Sequence, residues 1–261
     1  MALESKTVLN QLLRRWPRGT VALTSWLKTQ GVSSQLLYHY RHSNWIEAVG
    51  KGAFVRTGDS VDFRGAVYAL QKHAQLEIHP GGKTALKLHG KAHYLELSTK
   101  REFLWGPERV PLPRWIKAHD WGVDLSYMAT SFLPPSLALS EMDCGDFSIK
   151  LSSPERALLE LLYMSPKHHG LVECFEILEG SNTLRPNIVQ QLLEACKSVK
   201  VKRLFLFLSK KTEHDWFHYL DPSRVDLGSG KRTIEKGGSY DSEFQIVLPR
   251  ELSIHGDQDL H

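Results

Sequence analysis

Residues 24–56 read TSWLKTQGVSSQLLYHYRHSNWIEAVGKGAFVR, and the fold of the amino-terminal region is decided there. Thr24 is placed to cap a short helix over 25–30 that turns Trp26 and Leu27 inward. Gly31 stands where that helix needs a left-handed residue to end. Ser33 is the expected N-cap of the next helix, which runs to about Asn44. Val32 before that cap and Leu37 four residues inside it fit a hydrophobic staple. Two short helices joined by a tight glycine-containing turn are the helix-turn-helix signature, whose second helix enters the major groove. Directly behind it, residues 45–49 and 53–56 flank Gly50-Lys51-Gly52 as two strands around a turn. That hairpin is the wing.

Upstream, Val8, Leu9, Leu12, Leu13 and Trp16 make one apolar helical face over Lys6–Trp16, which Pro17-Arg18-Gly19 stops. Val21-Ala22-Leu23 reads as a short apolar connector, and Thr57-Gly58-Asp59 closes the module.

The helix behind Ser33 turns Leu36, Leu37 and Tyr40 inward and leaves Ser34, Gln35, Tyr38, His39, Arg41 and His42 outward. No Asp or Glu occurs in residues 33–46, and acids there would repel phosphate. Gln35 carries the amide that pairs with adenine, and Arg41 suits guanine or phosphate. Arg14, Arg15, Lys28, the wing-tip Lys51 and Arg56 are the expected phosphate contacts.

Charge distribution points the same way. Residues 1–64 hold nine Lys/Arg against four Asp/Glu, while the other 197 hold 24 against 25. All of the net +4 is therefore concentrated at one end, the pattern of a module facing a polyanion.

With 261 residues and 41% hydrophobic content, the chain can bury a sizeable core and is not a disordered or collagen-like sequence. No apolar run reaches the ~20 residues of a membrane-spanning helix, and the first residues lack a secretory-signal pattern. Three scattered cysteines without a CxxC argue for a reducing, cytoplasmic setting.

Beyond residue 64 the pattern predicts an α+β body. Helices are expected over 65–73, 83–89, from Pro154 behind Ser153, over about 171–179, from Pro186 to about Val199, and over 201–208. Residues 78–82 read as a turn, 93–97 as a strand and 105–113 as a proline-rich loop. Residues 233–235 and 244–248 flank Gly237-Gly238 as a hairpin-like strand pair.

Catalytic and metal signatures are wanting. His214 and His218 stand four apart without a third ligand or an HExxH motif. Gly228-Ser229-Gly230-Lys231 echoes the end of a phosphate loop but lacks its first glycine. Asp241 and Glu243 form at most half of a nuclease carboxylate cluster. Neither cofactor nor metal is expected, and the chain reads as a non-enzyme. Lys231, Arg232 and Lys236 make a basic hairpin that either contacts RNA or a protein partner or is simply solvated.

The order of segments is distinctive: GVSSQLLYHYRHSNWIEAVGKGAFVRTGD, GAVYALQ, GGKTALKLHGKAHYL, LSSPERALLELL and LDPSRVDLGSGKRTIEKGGSYDSEFQIVLPREL. Over about residues 5–252 it resembles the AbiEi-type antitoxins of type IV toxin–antitoxin and phage abortive-infection systems. The resemblance implies a repressor of its own two-gene operon that binds inverted repeats in the promoter. It also implies a nucleotidyltransferase-like toxin as functional partner, with antitoxicity in the carboxy-terminal domain and no stable complex required. By position the reading helix is 34–42 and the wing 50–56. His39-Tyr40-Arg41-His42 is less basic than many such helices. The expected organisation is a winged helix-turn-helix over 5–60, an α+β antitoxin domain over 65–252 and a tail over 253–261. The rival readings are a winged-helix adaptor that binds protein and a nucleic-acid-processing enzyme.

Overall fold

A computed structural model describes residues 2–90 and 101–253. The elements, in order, are α1 (Ala2–Arg15), β1 (Ala22–Leu23), α2 (Thr24–Thr29), α3 (Ser34–His42), β2 (Ile46–Gly50) and β3 (Ala53–Arg56). Then come α4 (Phe63–Tyr68), β4 (His79–Pro80), α5 (Lys83–Leu88), β5 (Arg101–Gly106), α6 (Arg114–Ala118), β6 (Asp124–Ala129), β7 (Leu139–Asp143) and β8 (Ser148–Ser152). The chain continues with α7 (Pro154–Met164), α8 (Leu171–Glu179), α9 (Pro186–Ala195), α10 (Val199–Lys211), β9 (Arg232–Thr233), β10 (Ser239–Asp241), β11 (Ile246–Leu248) and α11 (Arg250–Ser253). The architecture is α+β, opening with a winged helix. No helix among the described residues is long and apolar enough to cross a membrane.

The described residues form two compact units, each drawn from separated stretches: 2–80, 101–130 and 140–151 in the first; 81–90, 131–139 and 152–253 in the second.

In the first unit the winged helix closes on Leu9, Leu12, Trp16, Ala22, Leu27, Val32, Tyr40, Ile46 and Phe54. These come from every element between α1 and β3, so the helix-turn-helix and the wing share one core. The Val21–Leu23 connector carries a strand. β1 pairs antiparallel with β3, giving the order β1-β3-β2. Thr24 also departs from expectation. It begins α2 rather than capping it, because Leu23 is the N-cap residue and makes no side-chain bond. The Thr24 hydroxyl instead donates to the carbonyl of Gly52 at 3.2 Å, tying the start of α2 to the wing turn. Gly31 (φ 83°) and Gly52 (φ 78°) both occupy the left-handed region that a side chain would oppose.

The helix expected at 65–73 begins earlier, at Phe63, because the Asp62 side chain accepts the Arg64 amide. Its last turn, 69–73, winds as a π-helix. The supposed turn at 78–82 contains β4, which pairs antiparallel with β5, while β6 runs parallel to β5. Trp105 and Gly106 belong to β5, so the proline-rich loop starts at Pro107. The strand expected at 93–97 lies outside the described residues.

In the second unit α7 packs against α5, α8, α9 and α10. Its start follows the sequence: Ser153 caps by accepting the Arg156 amide, and Pro154 takes the first turn. The apolar block at 204–208 is helical, within α10. α9 ends at Ala195, four residues short of expectation. The carboxy-terminal strands also differ from the predicted hairpin. Gly237-Gly238 leads into β10, which pairs antiparallel with β11, and β9 lies parallel to β11 on its other edge.

Candidate nucleic-acid interface

The centre of the site is α3. Ser33 Oγ accepts the Leu36 amide at 3.2 Å and fixes its start. Tyr40, 1% exposed, anchors it in the core, and Leu36 and Leu37 pack alongside. Ser34, Gln35, Tyr38, His39, Arg41 and His42 are all exposed. Tyr38 is 62% exposed, and its ring lies 4.0 Å from that of His42, whose Nδ1 stands 3.2 Å from the Tyr38 carbonyl. The outward row is thus partly ordered before any ligand arrives. A neighbouring aromatic, Trp45, expected in the wing strand, precedes β2 and is 49% exposed just beyond the helix.

The wing follows without a break. β2 and β3 pair from Ile46↔Arg56 to Gly50↔Ala53, with an irregularity between Ala48 and Gly50. Lys51 is exposed at the turn. Because the wing turn is bonded to the start of α2, Lys51 and α2 belong to one rigid edge of the module. Lys28 is exposed on α2.

The remaining expected phosphate contacts fall elsewhere. Arg56 stands at the far end of the hairpin from the wing tip, paired with Ile46. Its Nη2 donates to the Leu13 carbonyl at 2.6 Å, and the guanidinium lies 5.6 Å from the Trp16 ring centroid. Burial lowers its pKa from the ordinary arginine value, with Asp59 opposing and Arg18 adding to the shift. Arg56 therefore closes the carboxy-terminal end of α1 rather than reaching along the wing. Arg14, Arg15 and Arg18 join it around an open cavity of about 720 Å³, walled by Trp16 and carrying the carboxylate of Asp146. Arg15 also donates to the Gln30 side chain at 3.2 Å. The expected set thus splits into the exposed face of α3 with Lys51 and an arginine cleft at the end of α1.

The chemistry sought in the second unit is occupied structurally. Arg203, 2% exposed, donates to the carbonyls of Leu227, Gly228, Gly230 and Gln245 at 2.7–3.2 Å. Carbonyls gathered on a buried cation are the reverse of a phosphate loop, whose amides face the anion. Asp241 accepts the Phe244 amide and Glu243 pairs with Lys210. His214 Nε2 stands 3.2 Å from the Leu178 carbonyl. Among the described residues no group of three His, Cys, Asp or Glu is gathered as a metal site would need. Lys231, Arg232 and Lys236 are exposed, with Lys231 Nζ 5.1 Å from the Tyr240 ring centroid.

A winged helix joined to an α+β body defines the class of protein. Residues 5–97 match the family described as "Transcriptional regulator, AbiEi antitoxin N-terminal domain". Residues 99–249 match "Transcriptional regulator, AbiEi antitoxin, Type IV TA system". The chain belongs to the AbiEi antitoxin family of transcriptional regulators of type IV toxin–antitoxin systems. No curated protein matches it. In fold it is similar to the RV2827C protein from Mycobacterium tuberculosis, known from a crystal structure. That similarity has a TM-score of 0.63 at 14% identity, over 97% of this chain and 94% of the other.

Proposed function

We propose that this antitoxin represses its own operon by inserting α3 into the major groove of operator DNA, and that it counteracts a nucleotidyltransferase-like toxin encoded beside it. The observation that carries the reading is the outward face of α3: six exposed polar or cationic side chains, no acid, and Tyr40 locked beneath them. Gln35, near the helix start, reads base edges together with Tyr38, His39 and Arg41, and Ser34 and His42 flank them. Lys51 and Lys28 hold phosphates, and the Arg14/Arg15 cleft supplies further positive charge. Residues 5–60 act as the DNA-binding module, 65–252 as the antitoxin part and 253–261 as a tail. The protein works in the cytoplasm without a cofactor and without catalysis of its own. Lys231, Arg232 and Lys236 are the candidate contact for toxin or RNA.

One observation favours a rival reading. Tyr38 and Trp45 are two of five large hydrophobic side chains left exposed among the described residues, and exposed aromatics also suit protein partners. A gel shift of the full chain on the DNA upstream of its own gene separates the two. Repressor function requires a retarded band that random duplex of the same length does not compete away. An adaptor gives equal, weak retardation of both.

A further inference from the structure

α6 lies against the wing. Gly50 closes β2 at the wing turn, and a Cβ there would come within 2.6 Å of Trp115 Cβ, so the backbone of the wing and α6 are in direct apposition. The helix is held firmly. Trp115 and Ile116 are buried, the Ile116 carbonyl accepts the Trp121 indole N–H at 2.8 Å, and the rings of Trp115 and Trp121 meet edge to face at 6.1 Å. Its two cations, Arg114 and Lys117, are exposed, three apart and so on one side of the helix. Neither forms an ion pair or hydrogen bond among the described residues. The following acid, Asp120, accepts the Gly122 amide.

We propose that α6 is a second basic edge of the DNA-binding surface, with Arg114 and Lys117 engaging backbone phosphates beside the one held by Lys51. This rests on the reading of α3 and the wing as the DNA-binding face. The physical case is continuity. Lys51 follows Gly50, Gly50 touches Trp115, and Arg114 and Lys117 stand one and two residues from Trp115, so the helix that carries them is backed directly onto the wing turn. The wing is short, and an added rigid helix extends its reach along the duplex. Because the backbone of α6 is already packed, binding has to order only the two side chains, unlike a flexible basic tail whose chain must be ordered too. The segment lies some sixty residues beyond the wing in sequence, so only the fold brings it there.

The test is salt-dependent binding of the full-length protein to its own promoter duplex, read by fluorescence anisotropy and by hydroxyl-radical footprinting. Wild type, Lys51→Ala and the double variant Arg114→Ala/Lys117→Ala are compared. Each lost phosphate contact flattens the log–log salt slope by about 1, so Lys51→Ala flattens it by about 1 and the double variant by about 2. The double variant keeps its preference over random duplex and loses backbone protection at one edge of the footprint, the centre staying protected. If Lys51→Ala flattens the slope while the double variant matches wild type in slope and footprint, the role of α6 is overturned and that of the wing stands. If wild type itself shows no binding to duplex, the underlying reading falls, and this inference with it.

Discussion

Arg156 Nε donates to Glu160 Oε1 at 2.8 Å, one turn further along α7, and both side chains are buried. The Glu160 carboxylate also accepts the Gly82 amide at 2.8 Å and the Ser152 hydroxyl at 2.7 Å. Arg156 Nη1 reaches the carbonyls of Pro134 and Leu137 at 2.7 and 2.6 Å. The segments GGKTALKLHG and LSSPERALLELL, separate in sequence, thus meet in one buried polar network. Removing one partner strands the other charge away from water. Glu160→Ala is expected to cost about 3–5 kcal/mol of unfolding free energy in urea titrations. A loss under about 1 kcal/mol would show that the network is incidental.

Lys51 and Arg56 share a hairpin but are expected to behave differently. Lys51→Glu weakens binding to every duplex by a similar factor and leaves the melting temperature in place. Arg56→Ala lowers the melting temperature instead, since the Leu13 carbonyl and the Trp16 face lose their cation, a charge-assisted bond of about 1.5–3 kcal/mol. Thermal melts beside anisotropy titrations check both halves. A Lys51→Glu protein with unchanged affinity would take the wing out of the interface.

Gln35 has the amide geometry for a bidentate adenine contact. Gln35→Ala should cost about 1–3 kcal/mol on the cognate duplex and almost nothing on random duplex, so that discrimination narrows. Competition titrations measure the ratio, and an unaltered ratio would assign base reading to other side chains.

His73 lies in the π-helical turn, its ring stacked on Trp26 at 4.4 Å, and neither ring nitrogen has a partner. Burial lowers its pKa from 6.5 to about 4. Between those values the unfolded chain binds a proton that the folded one refuses, so the contribution to stability is complete above pH 6.5 and declines as pH falls toward 4. His73→Phe, which retains a ring on Trp26, should make the melting temperature less sensitive to pH across that window. Melts at pH 7.0, 6.0 and 5.0 with parallel slopes for variant and wild type would refute this.

Much of the winged helix was legible because its signals are local. Gly31, Ser33 and the Gly50-Lys51-Gly52 turn act within a few residues of themselves, and the structure sets each as its chemistry suggests. What escaped reading depends on distant partners. β1 is two residues long and is a strand only because β3 lies beside it. α6 has five residues, and β6 (DLSYMA) lacks strict alternation and is defined by pairing with β5. The parallel pairing of β9 with β11 defeats a hairpin reading for the same reason. Within the candidate interface the pattern identified which residues of α3 are exposed, since helical period alone settles them. It did not foresee Arg56, whose side chain is drawn away by a carbonyl 43 residues upstream.

The four carbonyls gathered by Arg203 have a practical corollary for anyone shortening the gene. A stop placed before residue 227 deletes every one of these acceptors, and with them the Phe244 ring that meets Phe207 of α10 edge to face. Such a product should be degraded or insoluble instead of serving as a trimmed protein, so testing the two proposed activities separately calls for point changes on intact protein.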